Sequence, residues 1–162
     1  MESEIYYNGL AHLGNAIKLQ HWFYHVDYNI TKCDVDWVHY QNNIYTVPVT
    51  SILSIDEVAT VYNRFESNIL QANIRKMGMG GFVSSVSENF MLYLFFGDIF
   101  SETTFVIIDG EIMHIEPNTL YFLNTRLPNS IHTFDNNVYF LELELDVNSN
   151  SVEMLMEMLS IY

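Results

Sequence analysis

From Phe82 to Asp146 turn signals recur at close spacing, and the segments between them are short, apolar and rich in β-branched and aromatic residues. Strands are expected at 82–87, 89–96, 103–108, 111–116, 119–125, 130–134 and 138–146. Asp109-Gly110 is a sharp hairpin signal, because both residues accept the positive φ of a tight turn. Pro117-Asn118 and Asp135-Asn136-Asn137 mark further reversals. Short strands at this spacing cannot build a parallel sheet with helical crossovers, so an antiparallel sandwich or small barrel follows. The tail "SVEMLMEMLSIY" adds a short helix whose Met and Leu stripe should lie on the sheet.

The first half reads differently. Leu10, Leu13, Ile17 and Tyr24 recur at helical spacing, predicting an amphipathic helix from Glu2 to about His25. Val35 and Trp37 lead to Asn42-Asn43, and Ile44 to Val47 return from it, a hairpin closed by Pro48. A long helix is then expected from Ser54 to Gly78. Ser54 and Glu57 form a capping-box pattern, and Ile55, Val58, Tyr62, Phe65, Ile69 and Ala72 share one face. Arg75 and Lys76 would sit in its last turn. The expected organisation is one α+β domain: helices and a hairpin over 1–81, a double-stranded β-helix or jelly-roll-like antiparallel core over 82–146, and a helix over 147–162.

The charge narrows the function. Twenty acidic residues against six basic ones give a formal charge of −14. Such a field repels nucleic-acid backbones, whose binding rests on Lys and Arg, so direct nucleic-acid binding is not expected. Solubility, or docking onto a protein with a basic surface, remains. Cys33 is the single cysteine, which excludes an intrachain disulfide and a cysteine zinc site. The acidic N-terminus has no signal-peptide pattern, and Phe90 to Phe96 is too short to span a bilayer; no membrane association and a cytoplasmic location are expected.

"DGEIMHIEPNTLYFLNTRLPNSIHTFDNNVYFLELELD", Asp109 to Asp146, resembles the second half of the double-stranded β-helix of the 2-oxoglutarate/iron oxygenases. The likeness is to small prolyl- and aspartyl-hydroxylase-like members, some from phages. It rests on Leu123-Asn124-Thr125, Leu127-Pro128, Ser130-Ile131, the turn at Asp135-Asn136-Asn137 and Phe140-Leu141-Glu142-Leu143. The resemblance implies iron held by a His-x-Asp pair and a later His, with open positions for 2-oxoglutarate and oxygen. It places the later His at Asn129, the His-x-Asp near Gly81 to Ser85, and the arginine for 2-oxoglutarate at Val138-Tyr139. No Lys or Arg follows Arg126. The chemical positions depart from the family while the scaffold positions fit, so the resemblance implies a fold whose usual catalysis is gone.

Two other sets could hold a metal. His25-x-Asp27, with His21 one helical turn earlier, makes a two-His-one-carboxylate set with His132. Trp22, Phe23 and Tyr24 interleave it, which suits an aromatic cluster. His114 and Glu116 alternate along one strand and could join His132 in a cupin-like cluster. His132 lies three residues after Asn129, an odd shift that turns it to the opposite face of its strand. Gly78-x-Gly80-Gly81 follows a helix instead of opening one and reads as a link.

Glu142, Glu144 and Asp146 alternate with Leu141, Leu143 and Leu145, as on a strand with one solvated face, and are the candidate partner-binding residues. Three functions stay open. One is a metal-free, non-catalytic oxygenase-like or cupin-like protein, with no cofactor, that binds a basic protein or a small molecule. Another is a metal enzyme using Fe(II) and 2-oxoglutarate through His132 with His25/Asp27 or His114/Glu116. The third is an acidic inhibitor, of immunity or anti-defence type, that occupies a basic nucleic-acid-binding site.

Overall fold

Phe90–Gly97 is buried along its length up to the final glycine, the signature of a strand covered on both faces, and this explains why its sequence runs apolar without alternation. In the computed structural model, which describes residues 2–21, 36–52, 56–97, 99–100 and 102–159, this strand is β6. The others are β1 (Ala16–His21), β2 (Val38–Gln41), β3 (Ile44–Pro48), β4 (Ile69–Met77), β5 (Phe82–Val83), β7 (Thr104–Ile108), β8 (Glu111–His114), β9 (Thr119–Leu123), β10 (Asn129–Thr133) and β11 (Val138–Leu145). The helices are α1 (Glu2–Ala11), α2 (Asp56–Phe65) and α3 (Ser149–Glu157).

The strands form two antiparallel sheets, ordered β1-β9-β6-β11-β4-β3-β2 and β5-β10-β7-β8. One apolar layer lies between them, where Tyr93, Phe95, Tyr121 and Phe140 of the large sheet meet Val83, Val106, Ile108 and Ile131 of the small one. A second layer lies on the far side of the large sheet, where Leu92, Leu141, Leu143 and Leu145 meet Tyr7 and Leu10 of α1, Val58, Val61 and Phe65 of α2, and Leu155 of α3. The result is helices on one face of a jelly-roll-like antiparallel core. Arg126 ties α1 down: its guanidinium lies 3.7 Å from the Tyr7 ring centroid and bonds Glu4 at 3.0 Å. Among the described residues no helix is long and apolar enough to cross a membrane.

The turn chemistry expected from sequence is realised. Asp109 and Gly110 have φ of 50° and 81°, and Asn42, Asn118 and Asn137 also adopt positive φ, the conformation asparagine tolerates best after glycine. The expected strands after 82 all exist, though the first shrinks to Phe82–Val83.

The first half needs two corrections. The N-terminal helix stops at Ala11, and Ala16–His21 is the edge strand β1, with Ile17 and Leu19 buried on β9. Leu13, which seemed to extend the helical stripe, is exposed. The long helix from Ser54 to Gly78 is α2, a 3-10 turn at Glu66–Asn68, and β4. Ile69 and Ala72, three apart, suit a helical period. In β4 a register shift at Leu70 brings both to the helix-side core, and pairing with β11, and with β3 from Asn73 onward, makes the segment a strand. Ser54 and Ile55 lie outside the described residues. The segment before Phe82 therefore supplies four strands of the large sheet and is not a helical preface to the core.

Asp135 fastens the turn between β10 and β11 to the entry of β7. Its carboxylate accepts from Thr103 Oγ1 at 2.6 Å, Thr104 Oγ1 at 2.5 Å and Phe100 N at 3.2 Å. Burial alone would raise its pKa, but these hydrogen bonds hold it below the ordinary 3.8. The unfolded chain therefore takes up this proton first as pH falls. The stability Asp135 contributes is complete above the ordinary value and is lost as pH falls through the lower folded value. Asp135→Asn is expected to flatten the acid limb of the stability curve below about pH 4 in urea melts; an unchanged limb would contradict this.

Candidate functional site at the mouth of the barrel

Along β4, Gln71, Asn73 and Arg75 alternate with Ala72 and Ile74; Ile74 lies in the helix-side core, and the polar set turns the other way, into the space between the sheets. On β11, Leu141, Leu143 and Leu145 point to the helices, so Glu142 and Glu144 point to the same interior. With Tyr40 of β2 and the segment after β5 they line a cavity of about 190 Å³, bordered by Ser85 and Ser87.

Its floor is a buried ion pair. Arg75 Nη2 donates to Glu142 Oε1 at 3.0 Å, and the two side chains are 9% and 7% exposed. Ser85 Oγ donates to Glu142 Oε2 at 3.2 Å, and the Arg75 guanidinium lies 4.1 Å from the Tyr40 ring centroid. Glu144, half-buried, accepts from Ser87 Oγ at 2.6 Å and Asn89 Nδ2 at 3.3 Å. Two carboxylates against one guanidinium leave the lining net negative.

Tyr93 stands beneath them, wholly buried, with its hydroxyl facing Ser85 and Glu142 but outside good hydrogen-bond geometry to either. Burial, and after it the charge of Glu142, push its pKa well above the ordinary 10.0. Tyr93→Phe removes an unsatisfied group and is expected to leave stability unchanged or to raise it by about 1 kcal/mol in urea denaturation. A loss of that size would mean the hydroxyl is hydrogen-bonded in solution.

The positions to which the resemblance assigns iron do converge on this site. Asn129, at the start of β10, donates from Nδ2 to Ser85 O at 2.6 Å and to Leu127 O at 2.9 Å, and its Oδ1 accepts from Ser85 N at 3.1 Å. The amide thus spends both its ends fastening the segment after β5. The stretch from Gly81 to Ser85, to which the resemblance assigns the His-x-Asp pair, contains neither residue, and the Ser85 hydroxyl is turned to Glu142. Val138 and Tyr139, at the arginine position, are buried and apolar in their surroundings. These residues do not fit a two-His-one-carboxylate iron site with its 2-oxoglutarate.

The other sequence candidates fall elsewhere. His132 is on the outward face of the small sheet, opposite to Asn129, and its ring lies between Phe82 and Phe105 at 5.9 and 5.4 Å. His114 is across from Phe105 in register, but Glu116 lies beyond the strand and pairs with Lys18 at 2.7 Å. Among the described residues, no three His, Cys, Asp or Glu side chains are grouped as a metal site would require. His25 and Asp27 lie outside the described residues. Glu142, Glu144 and Asp146 do not form one solvated stripe. Glu142 is 6% exposed, enclosed by Arg75 of β4 and the segment after β5, whereas Asp146 is exposed and bound to Asn148 at the start of α3. Sequence reasoning missed Arg75, Ser85, Ser87, Tyr40 and Tyr93; the period-two run Gln71-x-Asn73-x-Arg75 was the available signal.

The chain superposes on an oxidoreductase of the 2OG-Fe(II) oxygenase family from Burkholderia pseudomallei with a TM-score of 0.61, over 88% of this chain and 89% of that one, at 11% identity. The fold is cupin-like. KdgF from a Halomonas species (TM-score 0.48, 11% identity, 73% of this chain and 94% of that one) and salicylate 1,2-dioxygenase from Pseudoaminobacter salicylatoxidans with gentisate (TM-score 0.46, 11% identity) are more distant likenesses. The superposition on the dioxygenase covers 66% of this chain but 26% of that enzyme. No family model and no curated protein sequence matches the chain. At such identity the likeness concerns the fold, and the chemistry has to be read from the side chains at the barrel mouth.

Proposed function

We propose that this chain is a non-catalytic binding protein on a cupin-like, oxygenase-like scaffold, and that its acidic barrel mouth receives a cationic group, either a small molecule or a side chain of a basic partner protein. The observation that carries this reading is the replacement at the barrel mouth: Asn129 clamps the backbone of Ser85 where iron ligands would converge, and Arg75 and Glu142 neutralise one another beside it. What is left to offer a ligand is Glu144, held by Ser87 and Asn89, with the rim ring of Tyr40, one face of which the Arg75 guanidinium already covers. A carboxylate beside an aromatic ring favours an ammonium or guanidinium over a dianion such as 2-oxoglutarate. The reading requires no metal, no cofactor, no nucleic acid and no membrane, and places the protein in the cytoplasm. No observation favours the metal-enzyme alternative over it.

Amide NMR titration with n-butylammonium and ethylguanidinium tests this. Shifts are expected at Ser85, Ser87 and Glu144 and are expected to disappear in Glu144→Gln. Movement of these amides by Mn(II) with 2-oxoglutarate, but by neither cation, would overturn the reading. So would the absence of any shift.

A further inference from the structure

Among the described residues, the outer face of the small sheet is exposed at Phe82, Ile112 and Phe134, and those exposed positions are apolar. Strand β7 alternates buried and half-buried positions, which separates an inner face closed by the large sheet from an outer face left to solvent. On such a face antiparallel strands ordinarily carry polar side chains. Here a row of rings crosses all four strands in register: Phe82 of β5 opposite His132 of β10, His132 opposite Phe105 of β7, and Phe105 opposite His114 of β8. The first three are stacked within 18° of parallel. Phe134 extends the row beside Phe105 at 6.4 Å, and Ile112 lies next to it on β8. Phe82, Phe134 and Ile112 are 45%, 59% and 60% exposed. A contiguous apolar patch of this kind marks an interaction surface more often than isolated exposed side chains do. Because the stacked rings cover one another's faces, they present edges, which suits contact with another protein surface better than stacking of a flat ligand.

The charges around the patch choose the partner. None of the chain's six Lys and Arg residues lies on β5, β7, β8 or β10, whereas Glu102 and Asp109 are exposed beside it. A second copy docked face to face would bring two acidic rims together on chains of formal charge −14 each. We infer that the outer face of the small sheet docks a protein surface with an apolar centre and a Lys/Arg rim. The apolar centre supplies the contact area, and the opposite charges at the rim set orientation and speed encounter. This surface is separate from the barrel mouth and stands or falls independently of the ligand proposed there.

The test uses an amphipathic helical peptide with a leucine face flanked by lysines, and a counterpart flanked by glutamates, each titrated against the full chain by fluorescence anisotropy. The lysine-flanked peptide is expected to bind, with affinity reduced at least about tenfold by Phe105→Ser and by Ile112→Lys, and the glutamate-flanked peptide to bind at least about tenfold more weakly. Ile112 is exposed, so its variant keeps the test valid if Phe105→Ser unfolds, as circular dichroism would reveal. Met156→Ser, an exposed position on α3 across the large sheet, should leave the binding unchanged, and Tyr40→Ser reports any binding at the barrel mouth instead. Binding that survives Ile112→Lys, or that is lost only in Tyr40→Ser, overturns the inference. A dimer seen by sedimentation and abolished by Ile112→Lys overturns it in favour of a second copy as occupant.

Discussion

Replacing Glu142 with leucine is expected to destabilise the protein by about 3–5 kcal/mol in urea denaturation, because it strands the Arg75 guanidinium in a closed interior. The pair is nearly inaccessible, with side chains 9% and 7% exposed, so solvent screening does little to soften the loss. The loss is not the net worth of the pair, since much of the Coulomb attraction only offsets the desolvation of both charges. The double variant Arg75→Met/Glu142→Leu should therefore recover most of the stability, and a double-mutant cycle should show strong coupling. A Glu142→Leu protein as stable as wild type would mean that water reaches the guanidinium.

Truncating Phe140 to alanine is expected to cost about 3–5 kcal/mol, from lost transfer free energy and the cavity left behind. Phe140 is fully buried between the sheets, with its ring centroid 5.4 Å from Phe95 and 5.8 Å from Tyr93. Register places it opposite Arg75 on β4, so the same strand positions that close the apolar layer also fix where the ion pair begins. Phe82→Ala, on the exposed face of the small sheet, should stay within about 0.5 kcal/mol of wild type. Equal costs at both positions would contradict the assignment of an inner and an outer face.

The contrast between these phenylalanines also shows what the sequence could reveal. From Phe90 to Leu145 the strands are bounded by Asn, Asp, Gly and Pro at turns whose backbone geometry those residues favour, and local chemistry was enough to find them. The faces were harder. Leu141, Leu143 and Leu145 alternate with Glu142 and Glu144, which reads as one face in and one face out; here both faces are covered, and the second cover comes from strands far away in the chain. Ile69–Met77 was read as helix because Ile69 and Ala72 satisfy a helical stripe, and nothing local announces that β11 will lie alongside. Arg75 was lost with it, since a cation in the last turn of a helix needs no partner, whereas on a central strand it demands one. Asn129 was the opposite case: the resemblance located it, and the structure shows its amide bonded to Ser85.

The central claim is that the clamp of Asn129 on Ser85, beside the Arg75–Glu142 ion pair, stands where the oxygenase resemblance assigns iron ligands. Its most direct test is a Mn(II) titration of the 15N-labelled protein with 2-oxoglutarate present, following paramagnetic broadening. The account predicts no saturable broadening centred on Ser85, Asn129 and Glu142. One-to-one binding that broadens those amides, or that is lost in His132→Ala, would contradict it.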